Sequence, residues 1–269
     1  MEILGYAAAV VIGISLGLIG AGGSILTIPV LVYLMGIAPV NATSYSLFIV
    51  AISAFTGVLG YLRHGLVSLP TVLLFGLPSV LGVFISRKYL LHAIPEDLFD
   101  IGSLHVTRNG FLMMLLAVLM VIASYSMIRK MPSIRVNAHA DRHYHNFLIF
   151  QQGIVVGVVV GLVGAGGGFL IIPALIMLAR LPMKKAIGTS LAIVALNSTI
   201  GFLSDFGVHQ FDWRFLLVFS GFAISGIVAG SYISKFVSGT QLKPAFGWFI
   251  LAMGVIIFGQ ELFSGMGAY

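Results

Sequence analysis

Twice in this chain a long apolar run is cut by almost the same glycine cluster. Gly20-Ala21-Gly22-Gly23-Ser24 separates VVIGISLGLI from ILTIPVLVYLM, and Gly164-Ala165-Gly166-Gly167-Gly168 separates GIVVGVVVGLV from FLIIPALIML. A proline follows each cluster at the same offset, Pro29 and Pro173. A glycine run unwinds a helix and leaves backbone N–H groups without partners. In hydrocarbon such a break survives only where protein or a water-filled cavity covers it. Paired breaks at matching places in two halves of a membrane protein point to a transport site.

The rest of the chain puts these breaks in a membrane. Only 8% of its 269 residues are charged and 59% are hydrophobic, with a mean hydropathy of +1.10. A water-facing surface needs roughly three times that charge. Apolar segments fall at residues 4–19, 25–36, 42–62, 69–86, 110–128, 148–163, 169–180, 187–204, 214–234 and 244–263. They lack period-2 alternation, so they read as helices rather than barrel strands. The net charge of +6 is read as positive cytoplasmic loops and not as a nucleic-acid surface. There is no cysteine, which excludes disulfides, thiolate metal sites and cysteine catalysis. No cofactor motif is present. The glycine clusters lack both the acid about 20 residues on that a dinucleotide fold needs and the Lys-Ser/Thr of a P-loop. The N-terminus MEILGYAAAV has no basic region ahead of its apolar stretch, so that stretch is expected to stay in the protein.

The chain repeats itself. A shift of 144 positions lays Gly13, Gly17, Gly20, Ala21, Gly22, Gly23 and Pro29 on Gly157, Gly161, Gly164, Ala165, Gly166, Gly167 and Pro173. After a one-residue slip and its return, Ala42, Ser46, Leu47, Val50 and Gly57 fall on Ala186, Ser190, Leu191, Val194 and Gly201. Roughly 20 of 48 aligned positions are identical, far more than shared hydrophobicity supplies. Gly82-Val-Phe-Ile-Ser-Arg87 likewise matches Gly230-Ser-Tyr-Ile-Ser-Lys235. The expected organisation is a first repeat at 1–128, a basic linker at 129–147 and a second repeat at 148–269. Residues 87–109 read as a polar excursion outside the membrane, partly a surface helix.

Charge selects between two topologies. If each glycine-broken pair is one kinked span, the repeats are parallel and Lys plus Arg divide 6 against 8 between the faces. If each pair is a re-entrant hairpin, the repeats are inverted and the division is 10 against 4, with Arg87, Lys88, Arg108 and Arg214 on the sparse, acidic face. The positive-inside rule favours the second. The expected fold is therefore an all-α polytopic membrane protein of two inverted repeats. Each has a glycine-broken helix pair forming a re-entrant hairpin plus about three spanning helices. Both termini lie outside and the linker 129–147 lies in the cytoplasm.

In this fold the short helices begin just after the glycines, with their N–H groups and positive dipole ends at the turns. Inverted repeats are expected to bring the two turns together near the midplane. Gly20, Gly22, Gly23 and Ser24 would then face Gly164, Gly166, Gly167 and Gly168 across a pocket for a small anion, with no buried Lys or Arg required. The alternative is that the glycines only permit tight helix crossing, the role expected of Gly13, Gly17, Gly157 and Gly161. Small polar residues in the next segments, Ser46, Ser190 and Asn197 foremost, are further candidates for holding an oxyanion. Interhelical or back-bonding hydrogen bonds are the alternative for them. Asp205 is a candidate for proton coupling, with an external loop acid as the alternative. His139, Asp141, His143 and His145 alternate as an extended metal-binding segment would, but a solvated loop is the simpler reading, and no metal site is assigned. No carboxylate pair or Ser/His/Asp arrangement suggests an enzyme.

Two copies of G-L-[IV]-G-A-G-G-[SG]-x-L-x-I-P, each followed by A-x-x-x-S-L-x-I-V-A, resemble the TauE/SafE family of membrane permeases. The resemblance covers nearly the whole chain, with Ser24 against Gly168 a small departure between the copies. It implies a multi-pass protein of the cytoplasmic membrane that exports sulfite or a sulfonate such as sulfoacetate, with the glycine turns and Pro29 and Pro173 as signature positions. The expected function is a secondary anion transporter working by alternating access, as a monomer or homodimer, with protons as the candidate coupling ion. An anion channel, a carrier of another solute or cation, and a membrane-embedded enzyme or scaffold are the competing readings.

Overall fold

A computed structural model describes residues 2–101, 104–128, 142–177, 179, 181–206, 211–234, 236 and 239–263. The first repeat contains α1 (Glu2–Ile19), a return segment α2 (residues 21–34), α3 (Pro39–Arg63), α4 (Leu69–Ala93) and α5 (Arg108–Ile128). The second contains α6 (Arg142–Val163), α7 (Gly168–Met177), α8 (Met183–Asp205), α9 (Trp213–Ile233) and α10 (Gly239–Phe263). Five helices among the described residues, α3, α4, α5, α8 and α9, are long and apolar enough to cross a membrane. α2 is irregular, opening as a 3₁₀ turn over Ala21–Leu26 and closing in a π-helical stretch over Val30–Leu34.

The packing has two-fold character. α1 packs on α9 of the other repeat, and its equivalent α6 packs on α4. Equivalent helices also pack on each other, α3 with α8, α5 with α10, and the start of α2 with α7, while α3 further contacts α9 and α8 contacts α4. α3 and α8 run antiparallel: Ser44 meets Asp205 at one end, and Gly188 meets Tyr61 and Leu66 at the other. Equivalent helices crossing in opposite directions are consistent with inverted repeats. Met35, just past α2, lies against Gly5 near the start of α1, so the chain doubles back after the first glycine cluster.

Small residues set these contacts. A Cβ on Gly13 would lie 2.0 Å from the Ala223 carbonyl oxygen, and one on Gly157 would lie 2.1 Å from that of Ser79. A Cβ on Gly17, Gly226 or Gly230 would come within 2.2–2.5 Å of backbone in the α1–α9 pair, and one on Gly82 or Gly153 within 2.5–2.6 Å in the α4–α6 pair. Without a hydrophobic drive between helices in lipid, close backbone approach is what holds such pairs. The tight-crossing role expected of Gly13, Gly17, Gly157 and Gly161 is the one they occupy.

Three features differ from the sequence reading. α4 does not stop at residue 86 but continues through π-helical Ser86–Leu90 to Ala93. The stretch beyond it forms a small antiparallel hairpin, Asp97–Ile101 with Leu104–Thr107, in place of a surface helix. α6 starts at Arg142, so His143 and His145 stand in helical backbone rather than an extended segment. His139 and Asp141 lie outside the described residues.

Leucine at Gly13 or Gly157 should overpack these seams, destabilising the protein by about 1–3 kcal/mol or more. Leucine at Gly221 or Gly259, where nothing lies within 4 Å of the added Cβ, should change stability by no more than about 0.5 kcal/mol. Thermal unfolding of the four variants in detergent measures the contrast.

Candidate functional site

The second glycine turn is buried, as are Gly20 and Ser24 at the two edges of the first, and both turns need glycine. Gly20 has φ 78°, and Gly164, Gly166 and Gly167 have φ 74°, 66° and 76°, in the left-handed region that side chains resist. Among the described residues, no backbone carbonyl accepts from the amides of Ala165, Gly166 or Gly167. α7 starts immediately afterwards, so its positive end is at the turn.

The leading glycines of the two turns, Gly20 and Gly164, do not meet head to head. A Cβ on Gly20 would touch Ile187 and Ser190, near the start of α8, and one on Gly164 would touch Thr43, near the start of α3. Because α3 and α8 are antiparallel, these positions are roughly 25 Å apart along the bundle at 1.5 Å per residue. Beyond those leading glycines the clusters do come together: Ala21–Leu26, which holds most of the first cluster, packs on α7, which opens on Gly168 of the second. Gly166 reaches inward, its Cβ position 2.9 Å from both Ser198 Oγ and Val50.

Beside the second turn lies a buried ion pair. Arg87 Nη1 donates to Asp205 Oδ2 at 2.9 Å and to Thr43 Oγ1 at 3.1 Å. Ser44 Oγ donates to the same Asp205 oxygen at 2.5 Å. Arg87 and Asp205 are both 0% exposed. Among the described residues, Arg87 Nε and Nη2 and Asp205 Oδ1 have no hydrogen-bond partner. Nη2 lies 2.4 Å from where a Cβ on Gly164 would stand. A buried Arg thus stands beside the second turn, where the sequence reading required none, and Asp205 is not a loop acid but the last residue of α8, locked inside. Arg87 was hidden in the sequence because the apolar run ends just before it, while its partner is 118 residues away. One signal was legible, the basic residue recurring at the end of the matched Gly82–Arg87 and Gly230–Lys235 segments.

The other end is chemically different. The position equivalent to Asp205 is Tyr61, whose hydroxyl donates to the Gly17 carbonyl at 3.2 Å and lies 3.4 Å from Ser234 Oγ. Ser234 is the counterpart of Ser86. A cleft of about 560 Å³ lies here, lined in part by Tyr61, Arg63, His64, Lys184, Ser231 and Tyr232.

The hydroxyl candidates separate. Ser46, Ser53 and Ser198 are fully buried, and among the described residues none of their Oγ atoms has a partner. Ser190 back-bonds to the Ile187 carbonyl at 2.8 Å. Asn197 donates to Ser79 Oγ at 2.7 Å, tying α8 to α4, and leaves its Oδ1 unpartnered. Ser24 is buried behind the first turn. Asp212 caps α9 by accepting from the Phe215 amide at 3.0 Å, a structural role. Among the described residues no three His, Asp or Glu side chains gather as metal ligands would.

A model of the sulfite exporter TauE/SafE family matches residues 5–257. A probable membrane transporter protein of Xylella fastidiosa strain 9a5c is 30% identical over 254 residues, covering 91% of this chain and 90% of its own. YunE of Bacillus subtilis, also a probable membrane transporter protein, is 25% identical over 97% of this chain and all of its own. YdhB of the same organism, likewise named, is 29% identical over 87% of this chain and 88% of its own. No solved structure matches the chain.

Breaking a buried ion pair by removing one charge costs about 3–5 kcal/mol, whereas removing both is often neutral. Arg87→Gln alone should therefore lower the unfolding temperature markedly, and Arg87→Gln combined with Asp205→Asn should recover most of the loss. The test is a double-mutant cycle on purified protein.

Proposed function

The chain belongs to the TauE/SafE family of membrane transporters, and from that premise we propose that it is a secondary exporter of a small anion across the cytoplasmic membrane. Sulfite or an organosulfonate is the substrate class, and the two glycine turns bind it. The carrying observation is the buried second turn, where peptide amides without backbone acceptors lie beside a fully buried guanidinium. A helix start of this kind is a ready anion site. Gly20, Gly22, Gly23 and Ser24 on one side, and Gly164, Gly166, Gly167 and Gly168 on the other, form two half-sites reached from opposite ends. Ser46 and Asn197, with free buried polar atoms, line the way between them. Ser190 keeps the start of α8 in shape beside Gly20. Pro29 and Pro173 shape the return segments.

In this reading α1–α2 and α6–α7 are re-entrant hairpins, and each repeat crosses the membrane three times in net terms. The end carrying Arg63, Lys184 and Lys185 is cytoplasmic, as is the linker 129–147, and both termini are outside. Access alternates between the ends. The cleft beside Tyr61 is the cytoplasmic approach, and the Arg87–Asp205 pair closes the outer side. Export of a monovalent anion from a negative-inside cell is downhill by about 2.3 kcal/mol per 100 mV. Asp205 is the acceptor for a coupling proton, where protons are coupled.

Purified protein in liposomes should show saturable counterflow of sulfite or sulfoacetate, at rates far below channel conduction. Absence of flux for sulfite, sulfate, thiosulfate, sulfoacetate and taurine would overturn the reading. Alanine at Gly166 forces a side chain into left-handed backbone at a cost of about 1–3 kcal/mol. It should cut flux by about tenfold or more in protein that still elutes as a single folded species.

A further inference from the structure

Arginine offers two edges on which a pair of parallel N–H groups can grip two oxygens at once. One is the side edge, formed by Nε and Nη2. Among the described residues, the side-chain hydrogen bonds of Arg87 all leave from Nη1, to Asp205 and Thr43. The whole side edge is unsatisfied in a residue with no solvent exposure. A buried guanidinium left half-bonded is expensive, so a fold that retains one invites a ligand for the open half.

The surroundings of that edge fit an oxyanion. Nη2 points at Gly164, where any Cβ would stand 2.4 Å away and fill the space. The amides of Ala165, Gly166 and Gly167 follow directly, without backbone acceptors among the described residues. Ser198 Oγ, also unpartnered, lies 2.9 Å from the Cβ position of Gly166. The π-helical stretch Ser86–Leu90 carries Arg87, an irregularity frequent at functional sites.

Building on the anion-transport reading, we infer that the Nε–Nη2 edge of Arg87 is the fork that grips two oxygens of the transported oxyanion, and that Asp205 is an internal counter-ion the substrate competes with. Asp205 neutralises Arg87 while the site is empty. An arriving sulfite or sulfonate takes the free edge and weakens the hold of Asp205 on Nη1. The helix partners joined by that pair, α4 and α8, are then released from one another. Trigonal and tetrahedral oxyanions with two oxygens to present fit the fork, whereas halides do not. Substrate choice at this end is thus set by an arginine edge as well as by the turn amides.

The discriminating measurement is ligand-dependent thermal stabilisation of purified protein, titrated with sulfite, methanesulfonate and chloride. Sulfite and methanesulfonate should stabilise the wild type, and chloride should not. Arg87→Lys keeps the charge but loses the fork, and should weaken sulfite binding by about tenfold or more. Asp205→Asn removes the competitor and should tighten it by about threefold or more. A merely structural ion pair predicts the opposite sign for Asp205→Asn. Should the single variants fail to fold, Arg87→Gln with Asp205→Asn leaves no buried charge, and it should fold yet show no sulfite stabilisation. Sulfite binding that is unchanged in Arg87→Lys or in the double variant, or weakened in Asp205→Asn, would overturn the fork while leaving transport intact. A wild type neither stabilised by these anions nor able to move them in liposomes would overturn both.

Discussion

A peptide group freed by a helix break has no water to turn to inside a bilayer, and most of this bundle is arranged around two such breaks. The leading glycine of each cluster is buried against a helix of the other repeat, Gly20 beside α8 and Gly164 beside α3. The helices that deliver the clusters, α1 and α6, are held to α9 and α4 through seams so close that a single methyl would strike a carbonyl. Protein, or a water-filled cavity enclosed by it, is the cover such a break needs. The glycines along α1 and α6 and those at the turns therefore serve one end: the first bring the helices close, the second let the chain unwind where it is enclosed.

How far this could be read from residues alone depends on whether the determinant was local. The duplication was legible because Gly13, Gly17, Gly20 and Pro29 recur at a fixed shift, and the apolar runs gave the helices. The tight-crossing glycines were legible for the same reason. Arg87 was not, since its neighbours Lys88 and Tyr89 are exposed and its burial is decided by Asp205 and Thr43, far away in the chain. Asp205 itself looked like the edge of a loop, being the last residue of a helix. The small hairpin after Glu96 escaped because each strand is only four or five residues long, too short for alternation to speak. The offset of the two turns follows from the length of α1 and α6. Each is long enough to carry its leading glycine, Gly20 or Gly164, past the middle of the α3–α8 pair, so the stretches that follow these glycines, and not the glycines themselves, come face to face.

The two-fold frame carries unlike chemistry at its two ends. Tyr61 and Asp205 occupy the same place in the repeat, yet one is a neutral phenol bonded to the Gly17 carbonyl and the other a carboxylate bonded to a guanidinium. A neutral contact can be broken and remade without stranding a charge. A buried ion pair cannot, because separating it leaves two unpaired ions in a medium of low dielectric. One end of the molecule is thus suited to easy opening, and the other to opening only when something replaces the lost partner.

The swapped pairing of α1 with α9 and of α6 with α4 has a consequence for the history of such a molecule. Neither half can enclose its own unwound turn, since the helix that closes it comes from the other half. A chain half as long would have had to meet a second copy of itself, oppositely inserted, before either was stable in lipid. Gene fusion would then have recorded an assembly that already existed, and freed the two ends to diverge into a tyrosine and an aspartate.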